Sequence, residues 1–122
     1  MPKVLVAEDS MTDAKYIESI LTDKDFEVVL ARDGEEAENF IKSEEKFDLV
    51  ILDVIMPKKN GFQICREIKR NEKTKNIPVI LVTSKKEESD IYWGKMQGAD
   101  EYITKPFEPI DLLAAIKRCL KK

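Results

Sequence analysis

Five short strand-like stretches recur along this chain, four of them largely apolar, and a stretch with helical spacing follows each. Such alternation argues for a parallel sheet with helices on both faces, joined by right-handed crossovers. The third run is the most telling. Leu49, Val50, Ile51 and Leu52 lead straight into Asp53, and Pro57 follows shortly after. A continuous apolar run bounded by turn signals reads as a strand buried on both faces. Asp53 then stands where the strand ends. Open parallel sheets bind ligands outside the carboxyl ends of their strands. Asp53 is therefore either a loop carboxylate capping the next turn or an acidic group in a binding crevice.

The remaining elements fall around this strand. Lys3 to Ala7 reads as a first strand, ending at Glu8-Asp9. Ser10 and Asp13 form a helix-starting cap, and Ala14, Ile17 and Leu21 recur on one helical face. Phe26 to Ala31 is a second strand; Asp33 with Glu36 caps a helix carrying Ala37, Phe40 and Ile41. The third strand spans Asp48 to Leu52. Asn60 caps a third helix lined by Cys65 and Ile68. Val79 to Val82 is a fourth strand ending at Thr83-Ser84. Ser84 with Glu87 predicts the cap of a helix running to about Gln97, with Gly98 as its stop. Asp100 to Thr104 is a short fifth strand. Lys105-Pro106 follows, then a last helix from near Pro109 with Leu113, Ile116 and Leu120 on one face.

Composition removes several function classes. There is no histidine, which excludes His-based triads and His-ligated zinc or haem. Cys65 and Cys119 lack Cys-x-x-Cys spacing and read as reduced, largely buried thiols. The net charge of −3 gives no general attraction to nucleic acid. Lys117, Arg118, Lys121 and Lys122 read as a solvated face that complements a helix dipole. No apolar run approaches the roughly 20 residues that span a bilayer. Val4 to Ala7, interrupted by Glu8-Asp9, is too short for a signal peptide, so a cytoplasmic protein without membrane contact is expected.

The strand ends supply a constellation. Glu8 and Asp9 follow the first strand, Asp53 the third, Thr83 and Ser84 the fourth, and Lys105 the fifth. In a doubly wound sheet all lie on one edge. Packed carboxylates repel and raise one another's pKa, and a divalent cation removes that cost. An all-oxygen donor set suits Mg²⁺ and disfavours zinc. A carboxylate beside such a cation can act as a nucleophile on phosphorus, with a lysine as point charge for the phosphoryl oxygens.

These residues carry a resemblance. Val6-Ala7-Glu8-Asp9-Ser10, Asp53-Val54-Ile55-Met56-Pro57 with Gly61, Val82-Thr83-Ser84, and Gly98 through Phe107 resemble the receiver domain of two-component response regulators, of the chemotaxis-regulator type. The resemblance covers residues 1–122 as one receiver domain. It implies a flavodoxin-like α/β fold with five helices and a five-stranded parallel sheet of order 2-1-3-4-5. It also implies that Asp53 accepts a phosphoryl group from a histidine kinase or phosphotransfer protein. Glu8, Asp9, Asp53 and the Ile55 backbone carbonyl would hold Mg²⁺, for which Mn²⁺ would substitute. Lys105, Thr83 and Ser84 would contact the phosphoryl group, and the Lys105–Pro106 bond is expected to be cis. Thr83 and Tyr102 would form the switch, changing the partner affinity of the face made by the fourth helix, fifth strand and fifth helix.

On that face Tyr92, Trp93 and Met96 cannot all be buried on a narrow stripe. One of them is expected to face the core and at least one to be exposed for a partner, alongside Tyr102. Asn60 stands where the family often has aspartate. Ile55 beside the acceptor predicts a long-lived phosphoryl group. Trp93-Gly94 with Gln97-Gly98-Ala99 is similar to stand-alone receivers linked to pilus-driven motility. The leading reading is a stand-alone switch rather than an enzyme, monomeric or dimerising on phosphorylation; a phosphate sink draining a kinase is compatible. An aspartyl phosphatase of the haloacid-dehalogenase kind needs a second acid where Ile55 stands. A flavodoxin-like redox carrier needs a hydroxyl- and glycine-rich loop where Glu8-Asp9 stand.

Overall fold

A computed structural model describes residues 1–120. Five strands alternate with five helices: β1 (Lys3–Ala7), α1 (Met11–Thr22), β2 (Glu27–Ala31), α2 (Gly34–Lys42), β3 (Leu49–Leu52), α3 (Gly61–Arg70), β4 (Val79–Thr83), α4 (Glu88–Met96), β5 (Glu101–Thr104) and α5 (Pro109–Leu120). The strands form one sheet of order β2-β1-β3-β4-β5, and every pairing is parallel. Lys121 and Lys122, the end of the basic run, lie outside the described residues.

Period-two alternation sorts the central strands onto two cores. Leu5, Val50, Leu52, Val79 and Leu81 face one layer, with Ala37, Ile64 and Ile68 from α2 and α3. Val4, Val6, Leu49, Ile51, Ile80 and Val82 face the other, with Ile17 and Leu21 of α1 and Leu112 and Ile116 of α5. Each fully buried Leu or Ile contributes about 1.5–3 kcal/mol. β3 and β4 are buried at every residue, which is why their sequences run apolar without a break.

Local chemistry starts the first three helices as expected. The Ser10, Asp33 and Asn60 side chains accept from the backbone N–H groups of Asp13, Glu36 and Gln63. The fourth helix differs. Its N-cap is Glu87, whose N–H donates to the Asp90 carboxylate at 3.2 Å. Ser84 is left in the loop because the next residue, Lys85, is held at both backbone groups. Its N–H donates to Thr83 Oγ1 at 3.3 Å, and its carbonyl accepts from the Tyr102 hydroxyl at 2.6 Å. Gly98, at φ 98°, stops the helix after the Gln97 cap.

Two apolar faces are also corrected. On α5 the buried residues are Leu112, Ala115 and Ile116, with Leu113 and Leu120 packed at the flank. On α4 none of Tyr92, Trp93 and Met96 faces the core; the helix's buried residue is Gly94. Cys65 is buried and Cys119 half-buried, both as free thiols. Among the described residues no helix is long and apolar enough to cross a membrane.

Candidate functional site

Backbone hydrogen bonds carry the sheet one residue past three strand ends, and each of those residues is ionisable. Glu8 N–H donates to Ala31 O at 2.9 Å, Asp53 N–H to Ala7 O at 3.0 Å, and Lys105 N–H to Thr83 O at 2.9 Å. The sheet's own register therefore sets the positions of two carboxylates and one ammonium. Glu8 is 2% exposed and Asp53 6% exposed, so both carboxylates are largely withdrawn from water.

Lys105 links the cluster. Its Nζ lies 2.6 Å from Glu8 Oε1, 2.8 Å from Asp13 Oδ2 and 2.9 Å from Asp53 Oδ2. The second oxygens are also engaged. Glu8 Oε2 accepts from Ser10 N–H at 3.1 Å, and Asp53 Oδ1 accepts from Ile55 N–H at 3.0 Å. Burial pushes Glu8 up to about 7, and the neighbouring charge of Asp53 adds to the rise against the pull of Lys105. For Lys105 burial favours the neutral form, but hydrogen bonds to Asp13, Glu8 and Asp53 outweigh it and hold the ammonium above the ordinary lysine range.

Asp9 sits at the mouth, exposed. One carboxylate oxygen from each of Glu8, Asp9 and Asp53 falls within 4.8 Å of the others. Three hard, anionic oxygens converging at this separation fit a small divalent cation. The donor chemistry and the upward pressure on Glu8 both favour an added positive charge there.

Thr83 is fully buried, with its hydroxyl turned to Lys85 N–H, and Ser84 is exposed. The Lys105–Pro106 peptide is cis. Tyr102 is half-buried, and its ring lies against Gly94, where a Cβ would stand 2.9 Å from Tyr102 Cδ2. Tyr92, Trp93 and Met96 are 65%, 46% and 60% exposed, so α4 turns three large apolar side chains outward.

The β3–α3 loop is fastened to α2 next to the cluster. Gly34 N–H donates to Pro57 O at 3.2 Å, Lys58 pairs with Asp33 and Glu35, and Lys59 with Glu38 and Glu67. A Cβ on Gly34 would lie 2.0 Å from the Lys59 carbonyl oxygen, so this approach requires glycine. The loop that carries Ile55 is held by these contacts.

Sequence reasoning missed one member. Asp13 reads there only as the partner of the Ser10 cap, yet its carboxylate reaches Lys105. Tyr16 and Phe107 extend the same side. Their rings are 5.4 Å apart, and the Tyr16 hydroxyl donates to Phe107 O at 3.0 Å. With Asp13, Ser84 and Lys105 they bound a cavity of about 490 Å³.

A doubly wound sheet of order 2-1-3-4-5, with an acidic cluster and a lysine at its carboxyl edge, defines a flavodoxin-like protein of the chemotaxis-regulator type. The chain belongs to the response regulator receiver domains, whose family model matches residues 4–117. It is similar to Protein PilH of Pseudomonas aeruginosa, at 38% identity over 98% of each chain. Several other curated relatives are longer, and the chain spans about half of their length. The solved structure of chemotaxis response regulator CheY4 of Vibrio cholerae superposes with a TM-score of 0.90 at 32% identity, covering 98% of this chain and 99% of that one. The receiver domain of sensor histidine kinase PA1611 of Pseudomonas aeruginosa, solved with magnesium coordinated in its active-site cleft, matches with a TM-score of 0.90 at 25% identity, covering 99% of this chain and 98% of that one.

Proposed function

We propose that Asp53 accepts a phosphoryl group from a histidine kinase or phosphotransfer protein and that the modified chain binds a downstream protein. The observation that carries this reading is the setting of Asp53. It is a largely buried carboxylate fixed by the sheet register, with Lys105 Nζ at 2.9 Å and the Glu8 and Asp9 carboxylates beside it.

In the transfer, an Asp53 oxygen attacks the phosphorus of a phosphohistidine. The new O–P bond forms as the N–P bond breaks, and the electron pair returns to the imidazole, which takes a proton from solvent. The task is positioning and charge neutralisation. Glu8, Asp9, Asp53 and the Ile55 carbonyl would hold Mg²⁺, or Mn²⁺ in its place. A bound divalent cation supplies charge neutralisation for the phosphoryl oxygens. Lys105 meets one phosphoryl oxygen; the hydroxyls of Thr83 and Ser84 meet others.

The backbone of Lys85 connects acceptor to partner face. Its N–H is held by Thr83 and its carbonyl by Tyr102, so drawing Thr83 toward a phosphoryl group disturbs the Tyr102 anchor. Tyr102 packs on α4, whose outer side presents Tyr92, Trp93 and Met96 as the partner surface. Aromatic and methionine side chains of this exposure suit a protein partner.

Intact mass after incubation with acetyl phosphate and Mg²⁺ tests the reading. One added phosphoryl group is expected, and it should vanish in Asp53→Asn and in EDTA. An adduct that persists in Asp53→Asn would place the acceptor elsewhere. Absence of any adduct, with no Trp93 fluorescence response to beryllofluoride, would overturn the phosphorylation switch.

A further inference from the structure

We propose that Asp13 is a positioning residue for Lys105, the carboxylate to which the ammonium retreats when a divalent cation takes up Glu8 and Asp53. This rests on the reading of Asp53 as the acceptor beside such a cation. An ammonium has three N–H donors. Here all three are used on carboxylates: Glu8 at 2.6 Å, Asp13 at 2.8 Å and Asp53 at 2.9 Å. Lys105 is thus the internal counter-ion of two of the carboxylates that would hold the cation.

Two positive charges on one pair of carboxylates repel, so a cation loosens the hold of the ammonium on Glu8 and Asp53. Asp13 stands apart from the converging set of Glu8, Asp9 and Asp53. It is the one partner of Lys105 that a cation would leave free. The residue is well placed to receive the ammonium. It sits in the first turn of α1, with its own N–H held by Ser10 Oγ at 3.2 Å. Its side chain is 43% exposed, whereas that of Lys105 is 15% exposed. It also borders the cavity between Tyr16, Ser84 and Phe107, so the flexible lysine stem has room to swing. A lysine that moves to Asp13 keeps a counter-charge and stays beside Asp53, within reach of an arriving phosphoryl group. Without Asp13 the ammonium would remain committed to Glu8 and Asp53, and would oppose the cation for both.

The test is a double-mutant cycle on cation affinity, read without any phosphoryl transfer. Mg²⁺ is titrated into wild type, Asp13→Asn, Lys105→Met and the double variant, following backbone amide NMR shifts of Asp53 and Thr83. Asp13→Asn keeps side-chain size at a partly exposed position, and the dispersion of its amide spectrum reports its fold directly. Asp13→Asn should weaken Mg²⁺ at least about threefold in the wild-type background, and change it less than about 1.5-fold in the Lys105→Met background. Unchanged affinity in Asp13→Asn would overturn the proposal. So would an equal loss in both backgrounds, because Asp13 would then act by its own charge on the cation and not through Lys105. A wild type that shows no saturable Mg²⁺ shift would overturn the reading of the site itself, and the role of Asp13 with it.

Discussion

The Tyr102 hydroxyl donates to the backbone carbonyl of Lys85 at 2.6 Å, which ties the fifth strand to the loop after the fourth. The ring reaches that loop by lying on Gly94, where a methyl would stand 2.9 Å from Tyr102 Cδ2 and 3.0 Å from Leu81 Cδ1. Gly94→Ala gains about 1 kcal/mol of helix propensity but overpacks this contact by roughly 1–3 kcal/mol. The expected net result is a loss of about 1 kcal/mol in urea unfolding. The same change in a Tyr102→Ala background should cost less, since the contacts with the ring are gone and only the Leu81 methyl has to shift.

Lys105 neutralises carboxylates that have little access to water. Breaking a buried pair by removing one partner costs several kcal/mol, reduced here because the third partner, Asp13, is 43% exposed. Lys105→Met should lower stability by about 2 kcal/mol in EDTA. Millimolar Mg²⁺ should recover much of that loss, because a cation then stands in for the ammonium. Urea midpoints with and without Mg²⁺ measure both effects.

Glu8 gives a pH signature. Its carboxyl is raised from 4.5 to about 7, chiefly by burial. Between those values the folded chain binds more protons at this group than the unfolded chain does. Its contribution to stability is therefore favourable at low pH and is lost as pH rises through the window. The metal-free stability of wild type, measured relative to Glu8→Gln, should fall steadily from pH 4.5 to 7. A difference that stays flat across that range would show that Glu8 keeps an ordinary carboxylate pKa in the fold.

Ile55 is 52% exposed and sits two residues from Asp53, the proposed acceptor, with its N–H on Asp53 Oδ1. An apolar side chain there keeps water from lining up behind a phosphoryl group, whereas an amide would hold one in place. Ile55→Asn should shorten the lifetime of the Asp53 phosphoryl group roughly tenfold, a difference of about 1.4 kcal/mol in barrier. Time courses of intact mass after removal of the phosphodonor give the two rates.

Much of the fold is legible locally. The uninterrupted runs Leu49–Leu52 and Val79–Val82 could only be central strands, and Ser10, Asp33 and Asn60 announce their helices by side-chain hydrogen bonds that reach three residues on. The error at Ser84 has a tertiary cause. Its sequence spacing to Glu87 fits a cap, but Thr83 and Tyr102 fix both backbone groups of Lys85, and the helix begins only at Glu88. The error on α4 is similar. At least one of Tyr92, Trp93 and Met96 is exposed as expected, but none faces the core, because the tyrosine of β5 and Leu81 lie against the inner side of the helix at Gly94.

The succession of strands and helices, and the charged residues that follow the strand ends, are written in the local pattern of residues. Those properties depend on spacing within a few residues and on the preference of apolar groups for burial. Which charges meet is a matter of long-range packing. Asp13 and Lys105 are 92 residues apart and touch because the first turn of α1 and the residue after β5 both lie at the carboxyl edge of the sheet. Such a contact depends on crossover path and helix rotation, which no local pattern encodes.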